Sequence, residues 1–514
     1  MTPQRRTAGL VALTVALTVA TTCAATSALA QDGAAPTTPQ WPTTAWPVSS
    51  PETQGMSSED LADALEFAKA NDVNVHSITV VRNGFVVLDA YFYPFVPNTR
   101  HDIASATKSV VSILVGLATA QGFLRAPEQT LLSALPPRDG KGASEGAANI
   151  TLGDLLSMRS GFDCGFRRGE PELTAMRDTS DWVAHTLHLP MIAEPGARFG
   201  YCSPNFHLLS AAISASTGVS ALELARRSLF EPLGITDFYW PADAHGITRG
   251  WGDLQLRPHD MAKLGLLMLR DGLWEGRQIL SKVWIDRSVR AHFPANDDND
   301  YGLAWWMPHA IPGLFEAVGR GGQRISVLPD KDVVVVMTGG GFEPGDIGRH
   351  LTRSIRSNAA LPADPANQAR LASLLRQISA APSSRAAAAA PPKAKLASGR
   401  VYELGTSVPG VRSFAVDFVD RDTSVLRLRL ADGGELVQPL GMDGRYLLTS
   451  VDGGALSAGR AEWSDSGHLR IELNRLSLIN RFKIDVEFQD RGVRLVIEEP
   501  TELGTVTALG VARQ

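Results

Sequence analysis

The chain has 514 residues, more than one hydrophobic core usually organises, so at least two domains are expected. With 44% hydrophobic and 20% charged residues it has the composition of a globular protein, and 47 glycines argue against a coiled coil. A formal net charge of -5 without an evident basic patch argues against a nucleic-acid partner.

The first thirty residues are a separate object. Arg5 and Arg6 precede the apolar run GLVALTVALTVA, and Ala28-Leu29-Ala30 supplies small residues at a cleavage position. That order predicts a signal peptide over residues 1–30 and an exported, periplasmic or secreted, mature chain. A retained membrane anchor is the other reading of the run, which is only just long enough to span. No later segment reads as transmembrane.

Residues 31–55 are rich in Pro, Thr and Ser and predict an irregular segment. A capped amphipathic helix follows over 58–70, with Ser58 as N-cap. The runs HSITVV and FVVLDAYF flank Arg82-Asn83-Gly84, and Asn-Gly between such runs predicts a hairpin. ATKSVVSILVGLATAQ predicts a helix over 106–121 with Gly122 beyond its end. FHLLSAAISAST and PHDMAKLGLLMLRDG are further helices in a helix-rich middle. QRISVLP and VVVVMTG then predict a second hairpin about Asp330-Lys331, followed by a helix after Gly345. An antiparallel sheet built from both ends and covered by helices satisfies this order, giving an α+β domain over 56–358.

Residues 359–398 shift to Ala, Pro and Ser and read as a linker, with a helix at NQARLASLLRQIS. From 399 to 514 the pattern is short alternating strands: SFAVDFV, SVLRLRL, ELVQPL, RYLLTS, LRIELN, FKIDVEF and VRLVIEE. These predict a small antiparallel all-β domain, sandwich or barrel. It holds no catalytic constellation; its ligand or partner is unknown.

Chemistry concentrates at Ser105-Ala106-Thr107-Lys108, where extended chain turns into an apolar helix. Lys108 falls one turn after Ser105 on the same side. The helix N-terminus favours developing negative charge, and desolvation lowers the lysine pKa toward that of a useful base. Read alone, the tetrapeptide is better described as an N-cap serine with a solvated lysine, since chance matches to S-x-x-K are common. Three more phrases supply context: ITLGDLLSMRSGFD (150–163), EPGARFGYCSPNFHLLS (194–210), and YGLAWWM (301–307) followed by VGRGGQRISVLPDKDVVVVMTGG.

Together these phrases resemble the serine β-lactamase and penicillin-binding-protein superfamily, in its class C-like esterase and 6-aminohexanoate-dimer-hydrolase branch. The resemblance covers roughly residues 55–358. It implies a β-lactamase/DD-peptidase-like antiparallel sheet flanked by helices, with a helical subdomain. It also implies that Ser105 is acylated, with Lys108 as its base and Tyr201 as the proton shuttle. Tyr201 beside an ammonium is expected to share one proton with Lys108. Gly319-Arg320-Gly321-Gly322-Gln323 matches the third motif, K-T-G in other members. The oxyanion hole would then be the backbone N–H groups of Ser105 and Gln323.

Three departures bear on substrate. Arg320 replaces the motif lysine, Gly321 replaces its hydroxyl residue, and Ser203 stands where Tyr-x-Asn has asparagine. Asn205 would contribute instead, and Trp305 or Trp306 would line the pocket. Gly321 and Gly322 allow a ligand close to the strand backbone. Arg320 either clamps a substrate carboxylate or is a salt-bridged strand residue. Cys164 and Cys202 remain after the leader is removed, as a disulfide or as two buried thiols.

These expectations converge on a hydrolase of carboxylic esters or linear amides, acting through an acyl-serine with no metal and no cofactor. The histidines (His101, His185, His188, His207, His245, His259) have no zinc spacing. A β-lactamase or D-alanyl-D-alanine carboxypeptidase is the alternative enzyme. A non-catalytic cell-envelope binding protein is the alternative of another class.

Overall fold

A computed structural model describes residues 41–136, 143–164, 170–406, 408–451 and 454–513. The expected signal peptide and residues 31–40 of the N-terminal segment lie outside the described residues.

The first strands are the expected hairpin. β1 (Val75–Arg82) and β2 (Phe85–Tyr91) pair antiparallel with Arg82 opposite Phe85, across a turn in which Asn83 and Gly84 both take positive φ. The remaining strands of this sheet are β3 (Phe293–Asn296), β4 (Asn299–Tyr301), β5 (Trp306–Pro308), β6 (Phe315–Gly319), β7 (Gln323–Leu328) and β8 (Val333–Gly339). Their order is β2-β1-β8-β7-β6-β5-β4-β3, antiparallel throughout, so β1 pairs with β8 from the far end of the domain.

Helices cover both faces. α1 (Ser58–Ala70) buries Leu61 and Leu65, and its cap is Ser57, whose hydroxyl accepts from Asp60 N at 3.3 Å. Ser58, expected as the cap, is instead the first helical residue and hydrogen-bonds buried Glu52. On the other face, α2 (Thr107–Ala120), α3 (Pro204–Thr217) and α4 (Pro258–Leu269) surround one large core. α2 is buried along nearly its whole length, because apolar residues run all round it. After β8, α5 (Gly345–Ser354) packs beside α1. In the Ala/Pro-rich stretch, α6 (Pro365–Ser379) also packs on α1, burying Leu371, Leu374 and Ile378.

The C-terminal domain is a distinct all-β unit with ten strands among the described residues. They are β9 (Tyr402–Glu403), β10 (Val411–Phe418), β11 (Thr423–Leu430), β12 (Glu435–Gly441), β13 (Leu447–Val451), β14 (Ala455–Trp463), β15 (Leu469–Asn474), β16 (Arg481–Phe488), β17 (Gly492–Glu499) and β18 (Gly504–Ala512). Leu440 and Gly441 pair in parallel with Gly459 and Arg460, so the sheet curls back on itself as a barrel. Its core includes Phe414, Leu426, Ile471 and Val486. The α+β fold with a separate all-β domain is as the sequence predicts.

Candidate functional site

Two edges of the helical region meet at Ser105. His101–Asp102 pairs with Gln255–Leu256, and Ile103 leads into a short 3-10 turn, Ala104–Ala106, that runs straight into α2. Ala104 sits at φ +47, a left-handed conformation that costs a non-glycine residue about 1 kcal/mol or more. Asp102 holds it there: one carboxylate oxygen accepts from Ala104 N at 2.7 Å. Burial, and then the charge of Asp253, raise the Asp102 pKa against the opposing Ala104 hydrogen bond and Arg320 charge. Gly319, last residue of β6, lies against this turn. A Cβ there would stand 2.2 Å from the Ile103 carbonyl oxygen, so glycine lets the β6–β7 hairpin reach the serine.

A buried histidine pair backs the turn. His101 Nδ1 lies 2.8 Å from the Asp102 carbonyl, which only accepts, so Nδ1 carries the proton and Nε2 accepts from His76 Nδ1 at 2.8 Å. Burial lowers both pKa values, keeping the pair neutral at pH 7.

Lys108 is 1% exposed, and its ammonium has two partners: Ser105 Oγ at 2.9 Å and the Trp251 carbonyl at 2.8 Å. Burial pushes its pKa down to about 8, against the opposing charges of Glu170 and Asp253. Once it is an amine, one N–H still serves Trp251 and the lone pair accepts the serine proton.

Tyr201 stands across from this pair, with Lys108 Nζ 5.1 Å from its ring centroid. Its pKa is raised by burial first and by Glu170 second, with the Ser105 and Ser203 hydroxyls pulling the other way. The expected acidification by Lys108 is not found, and the phenol stays protonated at neutral pH.

Trp306 stacks beside Tyr201 with centroids 6.1 Å apart and planes at 23°, and Phe199 and Tyr301 pack edge-on to Trp306. Trp305, just before β5, is 1% exposed and packs on Phe315. Cys202 follows Tyr201 and is bridged to Cys164 with Cα atoms 5.3 Å apart. Asn205, in the first turn of α3, is fully buried, and its amide has no hydrogen-bond partner among the described residues.

The third motif joins the site to the barrel. Gln323 is buried, and its amide donates to Gly339 O at 2.6 Å and to Arg320 O at 3.1 Å while accepting from Gly339 N at 3.2 Å. These bonds fix the turn at Gly321 and Gly322, both with positive φ. Ile479, between β15 and β16, sits on that turn, with its Cγ2 2.4 Å from where a Gly321 Cβ would be. Ser477 O accepts from Asp102 N at 3.0 Å. Arg320 Nη1 donates to Thr501 Oγ1 at 2.6 Å, and its Nε lies 3.2 Å from a Glu502 oxygen. Arg320, in the turn between β6 and β7, is thus ion-paired to the barrel.

Ser105, Lys108, Tyr201 and the Gly319–Gln323 turn thus come together, whereas Trp305 and Asn205 are buried. Trp251, Asp253 and the barrel residues Ser477, Ile479, Thr501 and Glu502 were not singled out from sequence. Trp251 acts through its carbonyl, which carries no side-chain signature, and the barrel residues are distant in sequence.

The sequence profile of the family described as Beta-lactamase matches residues 65–393, well over half of the chain. The chain belongs to the Beta-lactamase family. It is 24% identical over 283 residues to a 6-aminohexanoate-dimer hydrolase of Paenarthrobacter ureafaciens, covering 50% of this chain and 70% of that protein. Among solved structures it is similar to a putative 6-aminohexanoate-dimer hydrolase from Bacillus anthracis (TM-score 0.49, 21% identity, 56% of this chain and 79% of that one). It is also similar to an octameric penicillin-binding protein homologue from Pyrococcus abyssi (TM-score 0.47, 18% identity, 87% and 99%). Family membership makes the fold that of a serine-hydrolase-related superfamily. Among the described residues no single helix is long and apolar enough to cross a membrane.

Proposed function

We propose that the protein is a serine hydrolase that cleaves carboxylic esters or linear amides through an acyl-Ser105 intermediate. The observation that carries this reading is the 2.9 Å approach of the buried Lys108 Nζ to Ser105 Oγ, with burial bringing the lysine pKa to about 8. In the first step the Ser105 oxygen bonds to the substrate carbonyl carbon and its proton passes to the Lys108 amine. The oxyanion is held by the backbone N–H groups of Ser105 and Gln323, each such donor contributing about 3 kcal/mol to transition-state stabilisation. The carbon–leaving-group bond then breaks as Tyr201 protonates the leaving oxygen or nitrogen and is reprotonated from Lys108. Water repeats the sequence on the acyl-enzyme: its oxygen bonds to the acyl carbon, its proton passes to the Lys108 amine, and the carbon–Ser105 bond breaks as Lys108 returns that proton to the Ser105 oxygen.

Hydrolysis of a β-lactam or a D-alanyl-D-alanine peptide is the second reading, supported by family membership. Those substrates carry a carboxylate, and the engagement of Arg320 with Thr501 and Glu502 favours simpler esters and amides. Export is proposed as well, on the leader-like sequence and the Cys164–Cys202 disulfide. The test is turnover of 4-nitrophenyl butyrate: Ser105→Ala is expected to abolish it with an unchanged circular dichroism spectrum. Comparable turnover by the folded variant would remove the assignment.

A further inference from the structure

The turn between β17 and β18 is built, not merely adjacent. Glu499 is 1% exposed and its carboxylate accepts from three successive backbone N–H groups: Thr501 at 3.1 Å, Glu502 at 2.8 Å and Leu503 at 2.9 Å. Burial alone would raise its pKa, but these bonds and that of the Thr501 hydroxyl lower it, so it is ionised at neutral pH. The Thr501 hydroxyl is fully used. It donates to Glu499 and accepts from Arg320 Nη1 at 2.6 Å and Asn480 Nδ2 at 3.3 Å. Pro500 and Thr501 also pack over Gly341, where a Cβ would stand 3.1 Å from Thr501 Cγ2. The turn is thereby held in place and presents Glu502 to Arg320 Nε at 3.2 Å.

Arg320 follows Gly319, whose α-carbon abuts the Ile103–Ala104 turn that leads into Ser105, and its charge acts on buried Asp102 beside that turn. A guanidinium is suited to a carboxylate, and the one it holds belongs to the barrel. We propose that the Glu499–Glu502 turn is a built-in charge filter, in which Glu502 takes the place on Arg320 that a substrate carboxylate would otherwise occupy. The site accordingly selects acyl groups that are neutral at that end and discriminates against those with a terminal carboxylate. Glu502 is 60% exposed, so an anionic substrate competes with it on unequal terms but is not sterically barred. As a tethered group it is present at a local concentration on the order of millimolar or above.

This inference rests on the Ser105 reading, and the experiment separates the two. The full chain is assayed on 4-nitrophenyl butyrate and 4-nitrophenyl hemiglutarate, which differ by a terminal carboxylate. Glu502→Gln is expected to raise the ratio of kcat/KM for the anionic over the neutral ester about tenfold, mainly through KM. Adding Arg320→Gln is expected to cancel the gain, and Glu498→Gln, the same loss of charge on the exposed face of β17, to leave the ratio in place. Butyrate turnover with a ratio that Glu502→Gln does not move would overturn the filter alone. So would an equal rise with Glu498→Gln, which would mark a general charge effect. Absence of Ser105-dependent turnover of either ester would overturn both readings.

Discussion

Lys108 acts as a base only after losing its proton, and its setting turns that requirement into a pH profile. Its pKa is lowered to about 8, so below pH 8 it is mostly ammonium and above it mostly amine. Activity is therefore expected to rise tenfold per pH unit on the acid side, bend near pH 8 and stay level until Tyr201, whose pKa is raised, begins to ionise. The linked stability has the same sign. Between about 8 and the unfolded value of 10.5 the unfolded chain binds more protons, so the folded state gains stability as pH rises through that window. A kcat/KM profile for 4-nitrophenyl butyrate checks the first claim, and a bend near 6 or no bend would remove Lys108 as the base. Ser105, Lys108 and Tyr201 were legible because each lies in a short local phrase. Their electrostatics were less so: the sequence placed an ammonium beside Tyr201 but held no sign that burial and Glu170 would raise the Tyr201 pKa instead.

At the scale of elements, the nucleophile turn depends on a strand it does not belong to. Gly319 ends β6 under the Ile103 carbonyl, and Gln323 begins β7 three residues after Arg320. Gly319→Ala would place a methyl 2.2 Å from that carbonyl oxygen, so either the hairpin or the Ser105 turn must move. A shift of this kind is expected to lower kcat about 100-fold while KM changes little, since displacement by about 1 Å suffices for that loss. Unaltered kcat in a folded variant would show that the hairpin does not set the serine geometry. The order of hairpin, helices and hairpin was readable from Asn83-Gly84 and the run from Val333 to Gly339. Three of the barrel strands were not. β14 reads ALSAGRAEW and β18 GTVTALGVA, where Ala and Gly dilute the β-branched signal, and β9 has only two residues. Pairing with strong neighbours makes them strands, which is a tertiary effect.

For the molecule as a whole, the barrel packs against the segments that flank Ser105. Ile479 covers the Gly321 turn, Ser477 holds Asp102, and Thr501 and Glu502 hold Arg320. Ending the chain at residue 398 would expose those segments, and kcat/KM for 4-nitrophenyl butyrate is expected to fall at least tenfold. Ile479→Ala, which keeps the barrel, should give a smaller loss. Unchanged kinetics in the shortened chain would reassign the barrel to a separate task. The sequence delivered an all-β domain, sandwich or barrel, but not its docking, because contacts between residues so far apart leave no periodic trace.

The central claim is a covalent acyl group on Ser105, and rapid-quench intact mass spectrometry with 4-nitrophenyl butyrate, followed by peptide mapping, addresses it most directly. A butyryl increment on the peptide containing Ser105, absent from Ser105→Ala, is the expected result. Ester turnover with no increment on the wild-type chain and unimpaired in the variant would contradict the account.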